Sequence, residues 1–362
     1  MSLTVIEVKK APVAEQSRSP TVLLDAIRYL LAAIVVLGHG FGFFLGYFDG
    51  FFPTVFPHPQ SIAVVCFFYL SGFLIARSQI LRSAKNDATL KMYLFDRVTR
   101  VYITLLPSLV FVAMVDLTFK YLFLVNYADL PFLGLKAGQE IETGLFTFIC
   151  NLFLVPSPPF GTMRPLWSLM YEWWIYLLFG GLYFLKNNRF SATLLILAGA
   201  VCTSAISLRL DIHMWVIWAL GGGCAYFQNK IPWQRLNSNA LRGFALILVT
   251  GATWFYCTSK NAYNLPAGIL LALALFVFTS KTKLLSSSSI PVKLAMSRLA
   301  GLSFTLFLTH YTVLTYTKVW LDGWTGLLAG TVAAHVVAFL IAYVSEYNLQ
   351  TVKTFLFRKI LV

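Results

Sequence analysis

The amino-acid sequence predicts an all-α integral membrane protein with about ten transmembrane helices and both termini in the cytoplasm. Three observations carry that reading. The 362 residues are 58% hydrophobic and 12% charged, roughly half the charge of a soluble domain. Ten apolar runs have the length and composition of bilayer spans. Twenty-one of the 28 lysines and arginines fall on one side of the alternation these runs create and six on the other, with Arg28 inside the first run. Loops rich in Lys and Arg stay in the cytoplasm, so that side holds both termini and the number of spans is even.

The runs follow in order. Residues 1–20 are a polar cytoplasmic tail with Lys9, Lys10, Glu15, Arg18 and Pro20. The run 22–46 is too long for a signal-peptide core and reads as an uncleaved anchor. The run 60–79 leads into a basic segment with Arg77, Arg82, Lys85, Lys91, Arg97 and Arg100, after which 101–125 crosses back. The longest outer segment, 126–165, carries Asp129, Glu140, Glu142, Pro156, Pro158 and Pro159. A connection of that length is a simple connector, a cap over a cavity, or the carrier of a short re-entrant helix. The runs 166–185, 191–208, 212–227, 241–257, 265–279, 300–319 and 325–345 complete the set, several of them only 15–18 residues long. Lys186 and Arg189, then Lys230, Arg235 and Arg242, then Lys281, Lys283, Lys293 and Arg298 mark their cytoplasmic turns, and Lys353, Arg358 and Lys359 belong to a basic C-terminal tail, 348–362. The domain is therefore a single transmembrane unit over 21–347, without internal repeats.

The net charge of +14 would point to nucleic acid in a soluble protein. Here it follows from the loop bias and the anionic inner leaflet, so the partner is the lipid bilayer and no nucleic acid is expected. Cys66, Cys150, Cys202, Cys224 and Cys257 have no metal-ligand spacing and read as small apolar filler, and no metal is expected.

The most informative residues are Arg28 and His39, both inside the first run. Eleven residues turn a helix by about 1100°, three turns and about 20°, so the two side chains share one face about 16 Å apart along the axis. Ionisable groups within a span mark a functional site by default. His39 lies about 25 Å up a hydrocarbon core about 30 Å thick, and Glu172 about 20 Å up. A carboxylate at that level would orient the imidazole and stabilise its protonated form, which makes the pair a candidate general base. Glu172 reads otherwise as a structural partner of a helix dipole or an arginine. His310 falls near the midplane, as a site or a packing residue. Arg97 and Arg100, spaced i, i+3 at a cytoplasmic helix mouth, share a face. Their planar forks suit phosphate oxygens, although arginines also anchor helix ends. Trp167, Trp173 and Trp174 flank Glu172 and offer surfaces for a sugar.

These residues also carry a resemblance. Asp25-Ala26-Ile27-Arg28-Tyr29-Leu30 with His39 following resembles the arginine, ten residues, histidine opening of the acyltransferase-3 family. That group includes bacterial polysaccharide, lipopolysaccharide and Nod-factor O-acyltransferases. Ser71-Gly72-Phe73-Leu74-Ile75, the Arg97 and Arg100 pair, Trp167-Ser168-Leu169-Met170-Tyr171-Glu172, and Ser303 to His310 resemble later blocks of the family in the same order. Tyr311-Thr312 after His310, and Tyr347-Asn348 after Glu346, depart from its usual prolines.

The resemblance implies a multi-pass enzyme of a bacterial inner membrane. It would move an acyl group, acetyl by family habit, from cytoplasmic acyl-CoA to a hydroxyl of an extracytoplasmic glycan such as an exopolysaccharide or its lipid-linked repeat. It implies no tightly bound cofactor, with acetyl-CoA as co-substrate. His39 and Glu172 would be catalytic, Arg28, Arg97 and Arg100 would hold the donor's phosphates, and Ser71, Trp167, Ser168 and His310 would line the site. Ser71 reads either as an oxyanion donor or as a packing residue beside Gly72. Two other classes compete: a transporter or flippase of an anionic or lipid-linked substrate, which would need repeats or broken helices, and a non-enzymatic membrane scaffold.

Overall fold

The computed structural model describes residues 22–46, 58–125, 130, 141–210, 212–228, 230–231, 237–259, 263–281 and 290–360. The 1–20 tail, Asp129, Lys136, Glu140, Arg235, Lys260 and Lys283 lie outside the described residues. Within the described residues the chain is helical and holds no strand. Its helices are α1 (Val22–Leu45), α2 (Pro59–Ser83), α3 (Leu90–Tyr121), α4 (Leu145–Leu152), α5 (Leu166–Phe184), α6 (Arg189–Leu210), α7 (Met214–Phe227), α8 (Ser238–Thr258), α9 (Leu265–Lys281), α10 (Ile290–Trp320), α11 (Gly323–Val344) and α12 (Leu349–Ile360).

Each apolar run of the sequence coincides with a helix, and α4 and α12 are additional. By length and composition six helical stretches can cross a membrane: Leu23–Leu45, Pro59–Ser83, Leu90–Tyr121, Arg189–Leu210, Ser238–Thr258 and Gly323–Arg358. α7 and α9 are apolar but shorter. The tail read over 348–362 is a helix for most of its length: a 3₁₀ turn at Glu346–Asn348 leads straight into α12.

Local chemistry sets the helix ends. Pro59 opens α2, where a missing N–H costs nothing. The Thr89 hydroxyl accepts from the Met92 N–H at 3.3 Å to start α3. Asp322 caps α11 by accepting from the Gly323 N–H at 2.6 Å, and the Lys318 ammonium donates to the same oxygen at 2.5 Å.

Small residues set the closest crossing, that of α2 with α7. A Cβ on Gly72 would lie 1.9 Å from the Trp218 carbonyl oxygen, and one on Gly221 would lie 2.1 Å from that of Tyr69. Backbones meet at both positions, so nothing flexible can yield. Apolar helices in lipid associate through such close packing. Gly72→Val is therefore expected to abolish accumulation of monodisperse protein in size-exclusion chromatography. Gly223→Ala, where an added Cβ meets nothing within 4 Å, is expected to leave the profile unchanged.

Two buried carboxylates fix the ends of α3, twenty residues and about 30 Å apart. At one end Asp96 accepts from Arg82 at 2.5 Å and from Lys353 at 2.9 Å, which clamps α12 against α3. At the other end Asp116 accepts from the Thr162 N–H at 2.7 Å, the Thr162 hydroxyl at 2.8 Å and the Tyr316 hydroxyl at 2.5 Å. Thr162 belongs to the long segment between α3 and α5, so Asp116 pins that segment onto α3 and α10. Within it Asn151, at the end of α4, bonds Ser157, the Pro158 carbonyl and the Phe160 N–H. The segment is thus held by side-chain hydrogen bonds over 141–165, with α4 presenting Leu145, Phe146 and Ile149 outward.

Gly161 makes the Asp116 contact possible. Its φ of +55° is left-handed, and a Cβ there would fall 1.6 Å from Asp116 Oδ2. Gly161→Ala is expected to lower the thermal midpoint of the purified protein by several degrees, as read by intrinsic fluorescence. An unchanged midpoint would contradict this account of the latch.

Candidate functional site

α1 packs on α10, α2 and α11. Leu30 and Leu37 are 57% and 40% exposed and mark its lipid side. Arg28 and His39 each lie two residues from one of these leucines, about 200° around the helix. Both therefore face into the bundle, and both are half-buried. The face inferred from the sequence is the face the fold turns inward.

Around His39 the helices close tightly. A Cβ on Gly38 would lie 2.6 Å from Gln60 Oε1 of α2, and one on Gly40 would lie 2.7 Å from Leu327 Cδ1 of α11. The imidazole meets His310 with ring centroids 5.4 Å apart and an interplanar angle of 30°. Tyr311 stands edge-on to it at 5.2 Å and Phe43 lies at 6.5 Å. Among the described residues neither ring nitrogen of His39 has a hydrogen-bond partner.

The Asp96 end of the bundle holds the cations. Arg28 lies within electrostatic reach of Arg100, Glu346 and Asp25. Glu346, just beyond α11, accepts from the Thr104 hydroxyl at 3.0 Å and faces both Arg100 and Arg28. Arg97 stacks over Tyr93 and Tyr176, its guanidinium carbon 5.8 and 6.0 Å from the two ring centres. Its Nε is buried without a hydrogen-bond partner among the described residues. Arg28, Arg97 and Arg100 are thus gathered at one end, with a carboxylate at hand.

Glu172 is not beside His39. It accepts a short hydrogen bond from the Tyr176 hydroxyl, one turn on in the same helix, and interacts with Ser71 of α2. Ser71 Oγ lies 3.0 Å from the Tyr176 hydroxyl and accepts from the Trp218 indole N–H at 3.2 Å. Arg100 and Arg28 act on Glu172 as opposite charges. The expected imidazole–carboxylate pair is corrected for a packing reason. Glu172 is engaged at the arginine end with Arg100 and Arg28, while His39 lies eleven residues along α1 from Arg28.

The remaining expectations divide. His310 is fully buried against His39. Ser71 sits in the Glu172 network. Trp167 is half-buried and edge-on to Tyr263 at 5.4 Å. Ser168 is buried, and its hydroxyl donates to the Pro165 carbonyl at 2.9 Å in the first turn of α5.

Reading the sequence alone passed over Asp116, Tyr176 and Trp218, and noted Glu346 only for the residues that follow it. For Tyr176 a signal existed, its i, i+4 relation to Glu172. For Glu346 the signal was a lone acid closing the last apolar run.

A family model described as an acyltransferase domain matches residues 22–347. The comparisons with curated proteins and with solved structures found no match.

Proposed function

Because the chain belongs to the acyltransferase-3 family and is a membrane acyltransferase, we propose that it transfers an acetyl group from cytoplasmic acetyl-CoA to a hydroxyl of an extracytoplasmic glycan. In this reading it is a ten-span protein of a bacterial inner membrane with both termini inside, and the Arg97 end of the bundle faces the cytoplasm. The observation that carries the proposal is the inward face of α1, with a cluster of arginines at Arg28 and an imidazole at His39 about 16 Å further along. That interval suits an extended pantetheine arm.

The residues then take these roles. Arg28, Arg97 and Arg100 hold the phosphates of the nucleotide through charge-assisted hydrogen bonds. Tyr93 and Tyr176 brace Arg97 from behind. Glu172 and Glu346 keep Arg28 and Arg100 in place as counter-charges while the donor is absent. The thioester lies beside His39. The His39 imidazole removes the proton of the acceptor hydroxyl as its oxygen bonds the acyl carbon. The carbon–sulfur bond breaks, and the departing CoA thiolate takes the proton back from His39. The cap over 141–165, held by Asp116, covers the end where the glycan would enter, and Trp167 offers it an aromatic surface.

The test uses the purified full chain in nanodiscs with radiolabelled acetyl-CoA and a crude surface-glycan extract. Label on the glycan with an equal release of free thiol supports the reading. Glycan binding without thiol release from any short-chain acyl-CoA would overturn it, and would favour a transporter.

A further inference from the structure

His310 offers a feature that the reaction above leaves unused. Its Nδ1 lies 3.1 Å from the Leu306 carbonyl oxygen and 2.9 Å from that of Phe307. Carbonyl oxygens only accept, so Nδ1 carries the proton and donates it. That fixes the tautomer: in the neutral ring Nε2 holds a lone pair. Nε2 is buried and has no hydrogen-bond partner among the described residues. An orphaned acceptor on a fully buried side chain is costly and calls for an explanation. The neighbouring rings are Phe307, Tyr311 and His39. In the structure the two rings are not hydrogen-bonded to each other, but their centres lie 5.4 Å apart, close enough for one N–H···N hydrogen bond once the half-buried His39 ring turns toward Nε2.

We infer that His310 is the positioning partner of His39, its Nε2 lone pair accepting the N–H of the His39 ring so that the opposite nitrogen is presented to the acceptor hydroxyl. This rests on the acyltransferase reading and replaces the carboxylate expected there. Tautomer control passes in one direction: the carbonyls of Leu306 and Phe307 fix His310, and His310 fixes His39. When His39 takes up the hydroxyl proton, both of its nitrogens carry hydrogen, and the one facing His310 still has its acceptor. No proton passes from His39 to His310. His39 returns the same proton to the CoA thiolate, so His310 is unchanged over the cycle. A neutral partner also places no permanent negative charge in the apolar interior, where an unpaired charge is costly.

The experiment compares His310→Phe and His310→Gln with the wild-type protein in nanodiscs, measuring kcat and both KM values from thiol release. Phenylalanine fills the aromatic surroundings but accepts no hydrogen bond. Glutamine places an amide oxygen close to the position of Nε2. His310→Phe is expected to lose about 100-fold in kcat, the low end for acid–base contributions, with the KM for acetyl-CoA within twofold of wild type. His310→Gln is expected to recover at least tenfold of that loss. Size-exclusion profiles of all three proteins establish folding, and if His310→Phe does not fold, the His310→Gln kinetics decide. A His310→Phe enzyme within threefold of the wild-type kcat would overturn the inference. So would an active wild type whose folded glutamine variant is as inactive as a His39 variant. Absence of turnover in the wild type would instead strike at the acyltransfer reading itself.

Discussion

His39→Ala is expected to reduce turnover by at least about 100-fold while the protein accumulates normally. Removing a positioned general base costs roughly 100- to 10,000-fold. The expected normal accumulation follows from the packing around the residue. The tight contacts near His39 are made by Gly38 and Gly40, not by the imidazole, whose ring is half-buried and whose nitrogens bond no described residue. Truncation therefore removes chemistry more than it removes packing. Quantitative blotting of the membrane fraction alongside glycan acetylation checks both halves of the statement. A His39→Ala protein that acetylates glycan at the wild-type rate would end the assignment of the base.

Arg97→Ala is expected to raise the KM for acetyl-CoA by about 10- to 100-fold and to change the KM for the glycan little. A hydrogen bond between a guanidinium and a phosphate contributes about 1.5–3 kcal/mol, and each 1.4 kcal/mol is a factor of ten. Arg97 is the best of the three arginines for this test. Asp96 is engaged by Arg82 and Lys353, so removing Arg97 leaves that clamp whole. The Nε of Arg97 is buried and unpartnered among the described residues, so its removal breaks no hydrogen bond of that atom within the protein. Thiol-release kinetics with each substrate varied in turn provide the measurement. A change confined to the glycan's KM would contradict the phosphate role.

The axis of the proposed site, Arg28 and His39, was legible in the sequence for one physical reason. Arg28 and His39 lie on a single helix, and helical geometry alone relates them. The same holds for the helices themselves, since an apolar run of sufficient length has one stable form in lipid. What could not be read concerns contacts between helices distant in sequence. Nothing in the chain states that α10 lies against α1 at the height of His39, so His310 could be placed by depth but not by neighbour. Glu172 was assigned to His39 by the same shortfall, whereas its partners are Tyr176, Ser71 and the arginines of the other end. The Asp116 latch depends on a left-handed glycine and on partners 46 and 200 residues away, and no periodicity encodes that. α12 was passed over because its basic residues made it look like a solvated tail. Lys353 instead reaches back to Asp96.

The most direct test of vectorial transfer along α1 is made in sealed membrane vesicles of known sidedness. Radiolabelled acetyl-CoA is presented at one face and the glycan acceptor at the other. Labelled glycan is predicted only when the donor meets the face bearing Arg97 and Arg100 and the acceptor meets the face bearing the 141–165 cap. Transfer that requires donor and acceptor on the same face, or that proceeds equally in both orientations, would contradict it.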